Sequence, residues 1–330
     1  MRGNRWYKCD LHIHTIASNC FRDRSVTAEQ WVNRCIEQEL DCVAITVHNT
    51  GNSIDEYKKV ADEKGLILFP GVELTYGENG IHLLILFDLD KTSEYVNDFL
   101  ISVGIKREDF AAPHACSNIT FQEIVEKVNL AGGLIIPAHV DEFKGLQEST
   151  FDHIQECYRY QDIAGVQVVN KELWELEGVV STTKKEEVAE KLNKKYNSSM
   201  FTPDLVKKWL HPITEAKRSN KAILTFSDNP HAPGDTQHGL KGIGTRYSWI
   251  KMDEEVTLNS LRQALMLSSL RVVSDFESFV SPYTPPAIYL KSMRVMNTHL
   301  SEGEIYTEFS SQMTTVIGGR EQVNQVLSGF

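Results

Sequence analysis

Two periods of apolar spacing alternate along this chain. Short runs rich in β-branched residues, "CVAITVH", "KGLILFPGVEL" and "GIHLLILF", read as buried strands. Between them, "SVTAEQWVNRCIEQE" and "SIDEYKKVADEKG" carry apolar residues at helical spacing, and Thr27 stands where an N-cap is needed. Further on, "TFQEIVEKVNLAGG" predicts a helix stopped by glycine and leading into the strand "LIIPAHV". The alternation continues through "IAGVQVVN", helical "KKEEVAEKLNKKY" and "PITEAKRSNK", and "AILTFSDN". This is βα repetition, and it predicts an α/β fold with buried parallel strands.

Such folds build their sites at the carboxyl ends of strands. The expected strand ends carry His12 and His14, His48, Glu73, His139, and Asp228 with His231, whereas His82 opens its strand. After residue 279 the pattern changes. "VSPYTPP" is a proline-rich joint, and "PAIYLKSMRVMN" and "IYTEFSSQMTTVIGG" read as strands, so a large domain over 1–279 and a small β-rich appendage over 280–330 are expected.

Composition narrows the chemistry. The 330 residues are 41% hydrophobic and 24% charged, which suits a globular protein with a sizeable core. A formal charge of -11 argues against a protein that coats nucleic acid non-specifically, though bound divalent cations would supply positive charge locally. No 18-residue apolar run and no signal-peptide pattern is visible, so a cytoplasmic location and no membrane association are expected. The six cysteines, Cys9, Cys20, Cys35, Cys42, Cys116 and Cys157, form no CxxC pair.

The strand-end residues are imidazoles and carboxylates, ligand types that suit Zn²⁺, Mn²⁺ and Fe²⁺. Residues two apart on an extended strand share a face, so the HxH of "DLHIHT" offers two ligands to one ion. Glu73 can bridge two ions through its two oxygens. Asp228 and His231 lie close together in "SDNPH", a loop stiffened by Pro230 and Pro233. Any one of these is a common chance pattern. As a set they point to a metal centre, because burying so many ionisable groups without metal or pairing is costly.

"DLHIHT", "AITVHN", "GVEL", "GIHLLILF", "IPAHVD" and "FSDNPH" together resemble the motifs of the polymerase and histidinol phosphatase (PHP) superfamily, in order and spacing over roughly residues 7–275. The resemblance implies a distorted (β/α)7 barrel and a centre of two or three divalent metals hydrolysing phosphoesters. It implies His12, His14, Glu73 and Asp228 as ligands of a first metal, Glu73, His82 and His139 of a second, and His48 with His231 as part of a third. Two positions depart from the family pattern: Val47 precedes His48 where aspartate is usual, and Asn19 and Cys20 stand where an aspartate or histidine is usual. The third site is therefore expected to be weakened, with Cys20 able to act as a thiolate that favours Zn²⁺. A narrower resemblance, carried by "GIGTRYSWIKM", "LRQAL" and "MTTVIGGR", is to TrlF-type PHP proteins joined to an SMC-like ATPase. The chain continues "GGREQVNQVLSGF", without the lysine and hydroxyl residue of a phosphate-binding loop, so ATP binding by this chain alone is not expected, and the appendage reads as a relic or as a docking surface for a separate SMC-like ATPase partner.

The expected activity is hydrolysis of a phosphorylated small molecule, nucleotide or nucleic-acid end by metal-activated water. His231 and His48 are the candidates to orient phosphate or protonate the leaving oxygen, and Arg22 in "CFRDRS" is the candidate phosphate clamp. A nuclease subunit working with an ATPase in DNA processing or phage defence, and a non-catalytic structural subunit, are the alternatives.

Overall fold

The structure is a computed structural model that describes residues 4–178, 181–282, 291–298 and 301–309. "MTTVIGGR" and the rest of the carboxyl-terminal stretch lie outside the described residues, as does all of "PAIYL". The chain divides into two compact units: Trp6–Met252 with Val256–Pro282, and a smaller one of Met1–Arg5, Asp253–Glu255 and Tyr283–Phe330. The smaller unit contains an antiparallel pair, Ser292–Thr298 and Ser301–Glu308. No helix among the described residues is long and apolar enough to cross a membrane.

The larger unit is built on β1 (Asn4–Ile13), β2 (Cys42–Ile45), β3 (Ile67–Tyr76), β4 (Ile81–Leu86), β5 (Leu134–Pro137), β6 (Gly165–Gln167), β7 (Ala222–Leu224), β8 (Ser248–Asp253) and β9 (Val272–Ser274). Seven of these form one sheet in the order β5-β4-β3-β2-β1-β8-β9, while β6 and β7 form a separate parallel pair. Val140 N donates to Gln167 O at 2.9 Å and Thr225 N donates to Ser248 Oγ at 2.9 Å, so the short pair spans the gap between the two edges of the curled sheet. The result is an incomplete, barrel-like sheet with helices around it, a distorted (β/α)7 barrel.

The strands are not all parallel. β1, β2 and β3 are, but β3 and β4 form an antiparallel hairpin, and β4 and β5 also pair antiparallel. Only residues 77–80 separate β3 from β4, and a parallel crossover needs a dozen residues or more. Gly77 (φ 69°) and Gly80 (φ 62°) supply the left-handed turns that a link this short requires.

Helices form where polar caps meet apolar periodicity. Thr27 and Gln30 make a reciprocal capping box ahead of helix Ala28–Glu37, which buries Trp31, Val32 and Cys35. "PITEAKRSNK" proves to be the second half of a longer helix, Pro203–Arg218. That helix starts at the Thr202 cap with Pro203 in its first turn. Pro212 is carried inside it, where burial of Trp209 and Ile213 offsets the lost backbone hydrogen bond.

Strand alternation separates two apolar layers. Cys9, Leu11, Cys42, Ala44, Phe69, Leu84, Leu86, Leu134 and Ile136 fill the inside of the curled sheet. Val43, Ile45, Val72, Leu74, Leu83, Ile85 and Ile135 face the helices. The same parity puts Glu73 of β3 and His82 of β4 on the inner face.

Candidate metal centre

Each ligand candidate reaches the mouth of the barrel for a local reason. On β1 the phase of alternation changes: Leu11 packs inside but Ile13 packs toward the helices. The β1–β2 register shifts between Asp10 and Ile13, and beyond that shift His12 and His14 converge with ring centroids 5.3 Å apart. The antiparallel hairpin explains His82. Thr75, near the carboxyl end of β3, lies opposite His82, at the amino end of β4, so a residue that opens its strand still sits at the shared rim. His139 and Asp228 follow β5 and β7 on left-handed backbone, at φ 27° and 48°.

Glu73 is the hub. Its Oε2 lies 3.3 Å from His12 Nε2, 3.2 Å from His14 Nε2 and 2.8 Å from His48 Nδ1. Its Oε1 lies 2.8 Å from His82 Nδ1 and 3.2 Å from His139 Nε2. Asp228 Oδ1 completes the first group, 3.3 Å from His12 Nε2 and 3.2 Å from His14 Nε2. Donor atoms about 2.0–2.1 Å from one tetrahedral Zn²⁺ stand about 3.3 Å from each other, which is the spacing seen here. Buried Glu73 Oε2, with three imidazole nitrogens around it, makes no hydrogen bond of acceptable geometry. Atoms that all aim at a common central point behave this way. The donor set therefore fits divalent ions at His12/His14/Asp228 and at Glu73/His82/His139, with His14, His48 and Glu73 also able to share one.

The electrostatics agree. Burial raises the acidity cost of both carboxyls, yet the histidines around them hold Glu73 and Asp228 well below the usual carboxylate range. Burial likewise opposes charge on His12, but Asp228 and Glu73 outweigh it and lift His12 to about 9. His238 rises to about 10, with Asp228 again overcoming burial. Metal binding near pH 7 should therefore release protons, because imidazoles must give up theirs to ligate. Calorimetric titration in buffers of differing ionisation enthalpy measures this directly, and a heat independent of buffer would refute it.

Ligand nitrogens are aimed from behind. Gln167 Oε1 can only accept, so at 2.8 Å it accepts a hydrogen bond from His12 Nδ1–H and leaves Nε2 free to ligate. The same oxygen accepts from His139 N at 3.2 Å. Asn229 holds His14 at both ends, accepting from its N–H at 2.7 Å and donating to its carbonyl at 3.3 Å, and Trp31 Nε1 donates to that carbonyl at 3.0 Å. Gln167→Leu should lower metal affinity by roughly 10–100-fold with little loss of fold, measured by competition with a chromophoric chelator. The tight turn after His139 depends on Gly145, where an added Cβ would lie 2.1 Å from the His139 carbonyl oxygen. Gly145→Ala should cost about 1–3 kcal/mol in unfolding free energy and loosen the His82/His139 ion first.

Two of the expected site residues lie elsewhere. His231 is half-buried against Gly239 and belongs to no ligand cluster among the described residues. The loop after Asp228 folds back on itself, with His231 N donating to Gln237 O at 2.7 Å and Gly239 N to Asn229 O at 2.8 Å. This return brings His238 to the place expected of His231. His238 Nε2 lies 2.9 Å from Asp228 Oδ1, its ring stacks on His14 at 3.8 Å, and its Nδ1 lies 2.9 Å from Cys20 Sγ. The dipeptide His238–Gly239 was the available signal, since only glycine fits behind the fold-back: a Cβ there would meet His231 Nδ1 at 2.6 Å. Arg22 projects outward, its side chain 56% exposed and 3.5 Å from Asp235. Arg246 is engaged by both oxygens of Asp275, at 2.6 and 2.9 Å.

The third cluster differs from the expected one. It comprises His14, Cys20 and His238, with His48 alongside. Asn19 is exposed and donates to the Ala111 carbonyl at 2.6 Å, so the substitution at that position does not touch the cluster. Hydrogen bonding to His238 and His48 outweighs burial and brings the Cys20 thiol down to about 5, a thiolate at neutral pH.

Residues 10–165 match the family model described as "PHP domain". Among curated proteins, the chain is 32% identical over 143 residues to a 5'-3' exoribonuclease of Haemophilus influenzae, covering 43% of this chain and 46% of that one. It is 32% identical over 128 residues to the 5'-3' exoribonuclease Rnm of Escherichia coli, covering 38% and 40%. The chain thus matches less than half the length of these relatives. Among solved structures, a lesion-specific endonuclease of Pyrococcus furiosus superposes with a TM-score of 0.50 at 17% identity, covering 79% of this chain and 56% of that one. Over residues 10–165, a little under half of the chain, the fold is therefore similar to that of a PHP domain.

Proposed function

We propose that this PHP-fold chain is a metal-dependent phosphoesterase that hydrolyses a phosphate ester at the end of a nucleotide chain. The observation that carries the reading is the bridging geometry of Glu73, whose two oxygens face two separate groups of imidazoles. Two relatives that are 5'-3' exoribonucleases support a ribonucleotide substrate. Divalent ions held by these residues would supply positive charge to a phosphoryl group and a water nucleophile at neutral pH.

The chain's own part is placement. His12, His14 and Asp228 serve one ion, Glu73, His82 and His139 the next, and Cys20 with His238 a third. Of these, Cys20 and His82, together with His48, line an open cleft of about 360 Å³, which is where a phosphoester would enter. His48, with 28% of its side chain exposed, is the histidine placed to donate a proton to a leaving oxygen. The thiolate ligand makes the third position one that prefers Zn²⁺, while the imidazole–carboxylate pair of sites takes Mn²⁺, Fe²⁺ or Zn²⁺. The test is chelation followed by metal add-back, with bis(p-nitrophenyl) phosphate, nucleotides, DNA and RNA as substrates. We expect metal-restored turnover, with RNA preferred over DNA; no turnover on any substrate with any ion would leave a structural subunit as the reading. The TrlF-type likeness and an ATPase partner rest on sequence motifs, and co-purification of an SMC-like ATPase with the tagged chain is their test.

A further inference from the structure

Strained backbone gathers at this cleft. Nine described residues other than glycine have positive φ, and five of them are Asn49, Ala111, His139, Lys144 and Asp228. Two belong to the metal centre. The other three line the cleft above it. Left-handed backbone costs an alanine or a lysine roughly 1–3 kcal/mol, so it persists where surrounding structure holds it and often where function uses it.

Lys144 is the one whose side chain carries charge. Its φ is 62°, and its carbonyl is pinned by the N–H of His82 at 2.9 Å, while Gly145 N donates to Glu142 O at 2.9 Å. The loop that delivers His139 therefore also delivers Lys144. The ammonium folds across Gly80, where a Cβ would lie 3.0 Å from Nζ, so the bare glycine backbone makes room for it. Among the described residues Lys144 Nζ has no ion pair or hydrogen bond, and no other lysine or arginine lines the cleft. Lys144 is solvent-exposed at the cleft, and in a chain of net charge -11 an unpaired cation beside a cluster of imidazoles is a place for an anion.

We infer that Lys144 is a substrate-specificity residue that grips a second phosphate of the substrate, next to the one undergoing hydrolysis, and so selects nucleotide chains over simple phosphoesters. The inference rests on the phosphoesterase reading above for the identity of the neighbouring phosphate. The metal ligands take the scissile group. Lys144, on the cleft wall and not in the ligand clusters, is left for the next anion along.

Two measurements test it. The first is binding of a fluorescent, 5'-phosphorylated oligoribonucleotide with phosphorothioate linkages to the metal-loaded protein, followed by anisotropy across a range of KCl. Lys144→Asn, chosen because asparagine tolerates left-handed backbone, should weaken binding roughly tenfold at low salt and flatten the salt slope by about 0.7, the loss of one phosphate contact. Lys144→Arg should restore most of both. The second is turnover of bis(p-nitrophenyl) phosphate, which has no second phosphate and should change less than twofold. An unaltered salt slope in Lys144→Asn, or an equal loss on the small substrate, overturns the inference. So does a wild-type protein that turns over the small substrate but does not bind the oligonucleotide. Lysine-dependent binding without turnover of any substrate would instead sustain the inference and remove the hydrolytic reading.

Discussion

Glu73→Ala protein should purify with less than half the metal of wild type, losing ions from both groups together, and its hydrolytic rate should fall by roughly a thousandfold or more. One carboxylate supplies both oxygens at the centre, Oε2 toward His12, His14 and His48 and Oε1 toward His82 and His139. Removing it leaves five imidazoles without their shared anion. A Glu73→Gln variant keeps the volume but offers one neutral oxygen, so it should fall between the two. Elemental analysis reads the metal directly. Thermal unfolding supplies an independent readout: chelator should lower the midpoint of wild type by several degrees and that of Glu73→Ala by clearly less, because the variant has fewer ions to lose. Metal content unchanged by the substitution would show that Glu73 is a structural anion and not a bridge.

The second large effect separates two histidines seven residues apart. His238→Ala should lower occupancy of the third position and cut turnover by roughly a hundredfold, whereas His231→Ala should stay within about threefold of wild type. His238 lies within contact of Asp228, His14 and Cys20, while His231 supports the loop beside Gly239. Cobalt substitution makes the distinction spectroscopic. A thiolate-to-cobalt charge-transfer band should be present in wild type and His231→Ala and absent in Cys20→Ser. If His231→Ala loses the band and His238→Ala keeps it, the assignment made from the fold-back loop is wrong.

The contrast between these histidines shows which information was local. "HxH" is legible because strand geometry alone puts alternate residues on one face. His139 is legible because it ends an apolar run of strand composition, and Glu73 because it is the one charge inside such a run, between Val72 and Leu74. His238 is ten residues beyond Asp228 in a polar stretch, "APGDTQHG", with no periodicity to mark it. Its position is set by hydrogen bonds to residues far away in sequence, such as the 2.9 Å bond from His238 N to the Cys20 carbonyl. Gln167 escaped notice for a similar reason: in "VQVV" it reads as a polar interruption of a strand, and only the closure of β6 against β5 brings it under His12.

The α/β class, most strands and helices and the imidazole–carboxylate character of the candidate centre follow from periodicity, capping and ligand type acting over a few residues, and seven of the histidines and carboxylates named from sequence lie together in the structure. Tertiary structure decided the rest. The four-residue link after β3 forced an antiparallel hairpin that carried His82 to the common rim. A register shift in β1 turned His12 and His14 into the mouth, and the returning loop substituted His238 for His231 and joined it to Cys20. Each of these depends on contacts between segments distant in sequence, where a single hydrogen bond or the absence of one Cβ settles which of several polar residues faces the ions.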